Sequence, residues 1–465
     1  MRAANSKGAA VIERVVLIGA GSAMFTRGLL ADVLRKGWQG EIALVDIDAD
    51  ALEVAEKLAR KMLDSRGSDL KLRASTDRHA VLKDATAVIC TISVGGREAW
   101  HKDVLIPRKY GIYQPVGDSV MPGGTSRALR MIPAMVEIAK DVMQLAPDAL
   151  FFNYGNPMSA VCRGVRKATG ANMVGLCHGV FGIAAGIASH LRTTREHLTY
   201  TAVGINHLTW FTELLVDGKD AMPRLCEIAA RKLGAGINKE TLGRYFTEAG
   251  DADRDTAMSG TWPFTFELTQ LFGAFPAVGD RHITEFFPHM FSAKGGYFGK
   301  TLGIDAFSLE RCLEDGHAKF AEMKEHAFSP DPLPDDYFDK ISGEHEQVTD
   351  IIESIRTDAG NVFSANLPNR GQIPNLPAEA IVECPAIADA TGLHAIDQKP
   401  LAPGLAGTLA TRFQWAETVV EAALEGSHRK FVQALLIDGA VKSVEIAYRL
   451  ADDLLDAQKE YLPQF

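Results

Sequence analysis

The chain has few of the features that mark secreted, membrane or zinc-ribbon proteins. Its six cysteines are scattered and form no C-x-x-C pair, which argues against a disulfide framework and against a zinc ribbon. No apolar run reaches the length of a membrane span, and no apolar segment of the kind found in secretory signals follows the first ten residues. We therefore expect a cytoplasmic protein.

Positive charge is also scarce. The chain has 49 Lys and Arg against 59 Asp and Glu, and its formal charge of −10 argues against a general nucleic-acid binder. A composition of 46% hydrophobic and 23% charged residues is typical of a soluble globular protein. Because 465 residues exceed one ordinary domain, we expect two domains.

A glycine turn near the start predicts a dinucleotide-binding fold. An apolar run at 15–18 leads into Gly19-Ala-Gly-Ser, although Met24 occupies the position of the third glycine of the fingerprint. A second apolar strand ends at Asp46, where a carboxylate would bind ribose hydroxyls and repel a 2′-phosphate. This pattern favours NAD over NADP. The predicted cofactor contacts are Gly19, Gly21, Ser22 and Asp46.

The alternation of strands and helices predicts the fold class. Up to about residue 196 the pattern is that of a Rossmann-like, doubly wound parallel sheet, and we assign residues 1–196 to an NAD-binding domain. Strand patterns at 198–204 and 208–216 begin a second, α+β domain, residues 197–465, which we expect to bind substrate and metal. We also predict that the Pro- and Gly-rich stretch 106–125 is an ordered loop near the cofactor.

Cys177 and His207 are the candidate metal ligands. Cys177 follows a short apolar strand, at the edge where open α/β sheets bind ligands, and His207 lies between the first two strands of the second domain. A thiolate and an imidazole can hold a divalent transition metal and leave positions open for substrate oxygens. Taken alone, each residue has a structural alternative, as a buried thiol or a hydrogen-bonded core histidine.

Motifs spread over most of the chain resemble glycoside hydrolase family 4, the NAD- and manganese-dependent glycosidases. In the family's order, the matching stretches are Gly19-Ala-Gly-Ser, Val45-Asp46-Ile, Ile106-Pro-Arg-Lys-Tyr-Gly, Gly117-Asp118, Asn156-Pro157, Cys177-His178-Gly179-Val180, Gly204-Ile-Asn206-His207-Leu-Thr-Trp210 and Asn375-Leu-Pro. The resemblance implies NAD and Mn²⁺, or another divalent metal, as cofactors. It also implies a homodimer or a homotetramer.

The resemblance implies an unusual hydrolysis. NAD removes hydride from C3 of the sugar, which acidifies the proton on C2, and a base removes that proton while the metal stabilises the enolate. The glycosidic oxygen leaves from C1, water adds back, and the same cofactor reduces the ketone. Such enzymes are exceptions to the two-carboxylate scheme of glycoside hydrolysis.

The same resemblance implies roles for individual residues. Cys177 and His207 would hold the metal, and Asn156 would contact the sugar hydroxyls beside it. His178 stands where α-specific members carry the acid group. Asp280 lies near the family's position for the base and is the first candidate for it. Loop lengths differ there, so the base could be displaced by one or several residues. His282 and Glu285 are the alternatives.

The residues after the metal cysteine indicate the substrate. Cys177-His178-Gly179 resembles the members that cleave α-linked uronic acids, and Val180 resembles the α-galacturonidases, whereas an asparagine there would suggest an α-glucuronidase. A uronate needs a cationic partner, for which Arg97 and Arg281 are candidates. We predict an α-galacturonidase. The alternatives are an α-glucuronidase, an NAD-dependent hydroxy-acid dehydrogenase and a non-catalytic NAD-binding regulator.

Overall fold

A mixed sheet of thirteen strands runs through the protein. The computed structural model describes residues 12–23, 25–237, 242, 262–291, 295–341 and 347–465. The strands of the first half are β1 (Ile12–Ile18), β2 (Gln39–Val45), β3 (Lys71–Ser75), β4 (Ala87–Cys90), β5 (Leu150–Asn153) and β6 (Met173–Gly175). Its helices are α1 (Phe25–Arg35), α2 (Ala49–Ser65), α3 (His79–Leu82), α4 (Gly96–Arg108), α5 (Met121–Leu145), α6 (Met158–Thr169) and α7 (Gly179–His190).

The first half has the strand order of a Rossmann fold. Its strands lie in the order β3-β2-β1-β4-β5-β6, and every neighbouring pair is parallel. The central strands read as apolar runs, as in β4 where every side chain is buried, because parallel sheets have helices on both faces. The predicted Rossmann-like α/β class is confirmed, and it places a ligand crevice at the carboxyl ends of these strands.

The second half adds shorter strands and longer helices. Its strands are β7 (Leu198–Ile205), β8 (Leu208–Val216), β9 (Lys219–Asp220), β10 (Phe275–Pro276), β11 (Gly296–Tyr297), β12 (Lys300–Thr301), β13 (Asn361–Pro368), β14 (Ile381–Asp389) and β15 (Gly392–Ala395). Its helices are α8 (Met222–Gly234), α9 (Pro263–Phe272), α10 (Asp280–Ile283), α11 (Leu309–Phe328), α12 (Tyr337–Lys340), α13 (Val348–Thr357), α14 (Pro403–Glu425), α15 (His428–Asp438) and α16 (Val444–Gln458). Within the described ranges, no helix is long and apolar enough to cross a membrane.

The sheet is continuous across the boundary that the sequence predicts at 196/197. The β13–β14 hairpin is inserted between β6 and β7, through the pairs Asn366–Gly175 and Glu383–Gly204. One cluster of buried side chains likewise contains members of both halves, such as Val16, Ile132 and Trp415. The division into two domains therefore stays a prediction. The hairpin joins β6 to β7, so the end of β6 and the β7–β8 turn belong to one sheet.

The prediction of a loop over 106–125 is wrong at both ends. Helix α4 continues to Arg108, and α5 already begins at Met121. Pro122 suits a first helical turn, where its missing N–H is not needed. Gly123 and Gly124 serve close packing, since added Cβ atoms would lie 2.6 Å from Gly117 O and 2.5 Å from the Ser119 carbonyl carbon. The loop itself is confined to residues 109–120.

A buried ion pair joins α4 to α5. Arg130 donates through both terminal nitrogens to Asp103, at 3.0 and 2.5 Å, and neither side chain has exposed area. Ser126 and Gln458 also donate to Asp103, at 2.9 Å each. Breaking such a pair is costly because the remaining charge stays buried.

We predict that Asp103→Ala lowers the free energy of unfolding by about 3–5 kcal/mol, because it leaves the Arg130 guanidinium without its carboxylate. Guanidinium-induced unfolding measures the change. Asp456→Ala is the matched control, since Asp456 pairs with Lys459 while 79% exposed. It should change stability by less than about 0.5 kcal/mol. Equal effects of the two substitutions would contradict the prediction.

Candidate active site

Cys177 and His207 meet at the carboxyl end of the sheet. Cys177 lies two residues beyond β6, and His207 lies in the tight turn between β7 and β8. Cys177 Sγ is 3.7 Å from His207 Nε2. Metal–sulfur and metal–nitrogen bonds of roughly 2.3 and roughly 2.1 Å would place these two atoms about 3.6 Å apart around one tetrahedral ion. The two predicted ligands therefore fit a single divalent metal.

A hydrogen-bond chain fixes the orientation of the His207 ring. Ser119 Oγ donates to Asp118 Oδ1 at 2.7 Å and lies 2.8 Å from His207 Nδ1. A hydroxyl has one proton, so Ser119 must accept from Nδ1–H. This fixes the tautomer whose Nε2 lone pair faces Cys177. Burial lowers the pKa of His207 to about 4, so the ring is neutral at pH 7, as a metal ligand must be.

The backbone of His207 is constrained as well. Its φ of 64° is left-handed, a conformation that costs a non-glycine residue about 1–2 kcal/mol. The hairpin pairing on both sides of the turn and the contact with Ser119 hold it there. Strain of this kind is found where the surrounding structure over-determines a functional position.

Asp118 connects His207, through Ser119, to Asn156. Its Oδ2 accepts from Asn156 Nδ2 at 2.9 Å, and Asn156 Oδ1 is buried with no hydrogen-bond partner among the described residues. Burial favours a neutral Asp118, but His207, His282 and Arg127 outweigh it and lower its pKa. The predicted sugar contact, Asn156, thus lies near the predicted metal ligand His207, with an acceptor that fits a sugar hydroxyl.

His178, Arg281 and His282 surround His207. The His282 ring lies 4.1 Å from the His207 ring, centre to centre, at 41°. Asp118, His207 and His282 each place a ligating atom within 4.8 Å of the others. His178 is exposed at the start of α7, and its charge and that of Arg281 both act on His207.

Asp280 caps a helix. Its carboxylate accepts from the backbone N–H groups of Phe264 and Thr265, at 2.9 and 2.8 Å, at the start of α9. The hydroxyls of Thr265 and Tyr297 donate to it at 2.5 Å each. The residue at the N-cap, Trp262, makes no side-chain cap bond, so Asp280 supplies the cap from a distant position. These contacts describe a structural role, and the role of Asp280 as the base stays a prediction.

Glu285 anchors the loop that carries Asp118. Its Oε1 accepts from the N–H groups of Val116 and Gly117, at 2.8 and 2.7 Å. Its Oε2 is buried with no hydrogen-bond partner among the described residues. Burial raises the pKa of Glu285 to about 8, although the two N–H groups oppose this. The side chain is therefore protonated at neutral pH and fixes the backbone just before Asp118.

The two predicted uronate-binding arginines contact one face of α11. Arg97 Nη2 donates to Gly316 O at 2.7 Å, and Arg281 Nη2 lies 3.4 Å from Cys312 Sγ. Residues 312 and 316 share a helix face because they are one turn apart. A Cβ on Gly316 would lie 2.8 Å from Arg97 Nε, so glycine leaves room for the guanidinium. One arginine from each half of the chain thus contacts the same face of α11.

The glycine turn fits a dinucleotide. Gly19 has a φ of 94°, and a Cβ there would lie 2.9 Å from Ile92 N. Gly21 donates its N–H to Asp46 Oδ2 at 2.7 Å, which holds the carboxylate at the end of β2. Ser22 Oγ accepts from Phe25 N–H at 3.4 Å, at the start of α1, where a pyrophosphate would bind. Met24, the substituted fingerprint position, lies outside the described residues.

Fold and site together define a Rossmann-type enzyme with a donor set that fits a divalent metal. Two family models confirm and narrow this class. Residues 14–193 match family 4 glycosyl hydrolase, and residues 202–441 match the family 4 glycosyl hydrolase C-terminal domain. The chain belongs to glycoside hydrolase family 4.

Relatives with different substrates span almost the whole chain. An α-glucosidase of Erwinia rhapontici is 32% identical over 472 residues, which cover 97% of this chain and 98% of the relative. An α-galacturonidase of Bacillus subtilis is 30% identical over 438 residues, which cover 92% and 93%. These relatives agree with the family assignment, but their names differ in the sugar and do not identify the substrate of this chain.

Solved structures of the family share the fold. The crystal structure of the Bacillus subtilis protein lplD, which carries a glucosidase name, superimposes with a TM-score of 0.81 at 28% identity, covering 96% of this chain and 100% of that one. A 6-phospho-β-glucosidase of Thermotoga maritima, solved with manganese, NAD⁺ and glucose-6-phosphate, gives 0.76 at 20% identity, covering 96% and 99%.

The raised pKa of Glu285 predicts a pH-dependent stability. The unfolded chain loses this proton near the ordinary value of 4.5, whereas the folded protein keeps it to about pH 8. Between these values ionisation favours unfolding, so the group destabilises the fold increasingly as pH rises.

Glu285→Gln keeps the acceptor but cannot ionise. We expect the variant and the parent to unfold at similar temperatures below pH 4.5, and the variant to become the more stable of the two as pH rises to 8. Thermal unfolding across this pH range measures the difference. Glu445→Gln, at a residue that is 78% exposed, is the control. A difference between parent and Glu285→Gln that does not change with pH would contradict the prediction.

Proposed function

We propose that this protein is an NAD- and manganese-dependent glycosidase that cleaves α-linked galacturonides. The Cys177–His207 pair, with its atoms 3.7 Å apart beside the predicted dinucleotide site, is the observation that carries the proposal. The Thermotoga maritima structure with manganese and NAD⁺ supports the cofactors, and the Bacillus subtilis α-galacturonidase supports the substrate. An α-glucuronidase of the same family is the alternative. The cytoplasmic location and the homodimer or homotetramer stay predictions.

The cofactors and the protein divide the chemistry between them. When bound, NAD would supply reversible hydride transfer at C3 of the sugar, and the divalent metal would supply electrostatic stabilisation of the charge that develops on the C2 and C3 oxygens. Gly19 and Gly21 let the backbone approach the pyrophosphate, and Asp46 offers its carboxylate to the ribose hydroxyls. Cys177 and His207 would hold the metal.

The remaining side chains bind the sugar and move protons. Asn156 Oδ1 would accept a hydrogen bond from a sugar hydroxyl, which satisfies an otherwise unpartnered buried acceptor. His178, which is exposed at the crevice, would donate its proton to the glycosidic oxygen as that oxygen leaves C1. A base in the segment 280–285 would take the proton from C2.

The preference for a uronate follows from the two arginines. Arg97 and Arg281 reach one face of α11 from the two halves of the chain, and Arg281 also acts electrostatically on His207. A guanidinium binds a carboxylate through two parallel hydrogen bonds, which a neutral hexose cannot accept in the same way. The pair therefore favours a substrate with a carboxylate at C5.

Hydrolysis of 4-nitrophenyl α-D-galacturonide in D₂O, with NAD, Mn²⁺ and a thiol reductant present, tests the mechanism and the substrate together. Because the proton on C2 is lost and replaced from solvent, the released galacturonate should contain deuterium at C2. Mass spectrometry of the product measures it. Reactions that lack NAD or Mn²⁺ are the controls and should give no product.

The possible outcomes separate the alternatives. Product without deuterium at C2 would contradict the elimination route. A clear preference for the α-glucuronide, or for the neutral α-glucoside, would contradict the assigned substrate and leave the mechanism intact. Steady accumulation of NADH in step with product would favour the dehydrogenase instead.

We predict that Arg281→Ala lowers kcat/KM for the α-galacturonide by about 10- to 100-fold, because it removes a charge-assisted pair of hydrogen bonds. The same variant should change kcat/KM for a neutral α-galactoside little, since that sugar has no carboxylate. Arg429→Ala, at an exposed arginine, is the matched control. Equal losses on both substrates would mean that Arg281 does not recognise the carboxylate.

A further inference from the structure

We propose that His282 is a third protein ligand of the divalent metal, beside Cys177 and His207. The inference rests on the proposed metal-dependent function and goes beyond it, because the family resemblance implies only the cysteine and the histidine. With a third ligand, this chain would bind the metal firmly before the sugar arrives.

The positions of the two imidazole rings fit a shared ion. The ring centres of His207 and His282 are 4.1 Å apart, and the rings are tilted by 41°. Two imidazoles bound at right angles to one ion, with nitrogens about 2.1 Å from it, have ring centres about 4.6 Å apart. The observed separation is close to this value. The ligating atoms within 4.8 Å of one another belong to Asp118, His207 and His282, so a site that joins His282 to Cys177 requires these side chains to close around the ion.

The polar groups around His282 favour ligation over a purely structural role. Its Nδ1 is buried and has no hydrogen-bond partner among the described residues, which is costly unless a ligand or a metal occupies that position. Asp118, by contrast, already accepts from Ser119 on one oxygen and from Asn156 on the other. Each oxygen of the carboxylate thus has a partner, whereas Nδ1 of His282 has none among the described residues.

The surrounding structure holds His282 rigidly. It lies in the short helix α10, whose first residue, Asp280, is bound to the start of α9 and to Tyr297. Glu285, three residues after His282, binds the loop that carries Asp118 and Ser119. Both sides of the site are thus fixed relative to His282, as a metal ligand requires.

Electron paramagnetic resonance of Mn²⁺ bound to the wild-type protein with NAD and no sugar tests the inference. Nitrogen couplings in the electron spin-echo modulation count the bound imidazoles, and we expect two in the wild type and one in His282→Ala. The Mn²⁺ dissociation constant of His282→Ala should rise by at least about tenfold. His289→Ala, at an exposed histidine seven residues later, is the control and should resemble the wild type.

The results distinguish the failure of this inference from the failure of the proposed function. One imidazole in the wild type, with unchanged Mn²⁺ affinity in His282→Ala, would overturn the role of His282 and leave the two-ligand site standing. If the wild type bound no Mn²⁺, both proposals would fail. If His282→Ala does not fold, as judged by circular dichroism and NAD binding, the number of imidazoles bound in the wild type still shows whether His282 is a ligand.

Discussion

The site depends on the short chain of hydrogen bonds from Asp118 through Ser119 to His207. One hydroxyl proton sets its direction, because Ser119 donates to the carboxylate and must then accept from the imidazole. This places the lone pair of His207 Nε2 opposite Cys177 Sγ. The same carboxylate binds Asn156 with its other oxygen, so a single residue orients both the predicted metal ligand His207 and the predicted sugar contact.

Two buried carboxyl groups of the segment 280–285 fix the backbone around this chain of hydrogen bonds. Asp280 joins α10 to the start of α9, and Glu285 joins it to the backbone at 116–117. Burial raises the pKa of Asp280 to about 6 and the pKa of Glu285 to about 8. They fix the segment that carries Arg281 and His282, the predicted uronate-binding arginine and the proposed third metal ligand.

Much of the fold could be predicted from the sequence because its signals are local. The apolar strand before Gly19, the acidic end of the second strand at Asp46 and the alternation of helix and strand together indicate the Rossmann order that the structure has. Cys177 and His207 were also predicted, from the ends of strands. The glycines at 123 and 124 were misleading, because a sequence does not show whether a glycine serves a loop or close helix packing.

The parts that could not be predicted rest on contacts between distant residues. Ser119 and His207 are 88 positions apart, and no local pattern distinguishes this serine from any other that follows an aspartate. Asp280 resembled a base because it lies near the family's position for that group, yet its carboxylate caps a helix that starts at Pro263. The insertion of the β13–β14 hairpin between β6 and β7 could not be predicted either, because it pairs strands that are far apart in the sequence.

Co²⁺ binding to Ser119→Ala tests whether Ser119 orients His207 for a metal. Loss of a hydrogen-bond partner of a ligand typically weakens binding by about 10- to 100-fold, so the Co²⁺ dissociation constant should rise by that factor. The thiolate-to-cobalt absorption band should persist at saturation, because Cys177 is unchanged. Ser189→Ala, at an exposed serine, is the control and should bind like the wild type. An unchanged dissociation constant for Ser119→Ala would contradict the account.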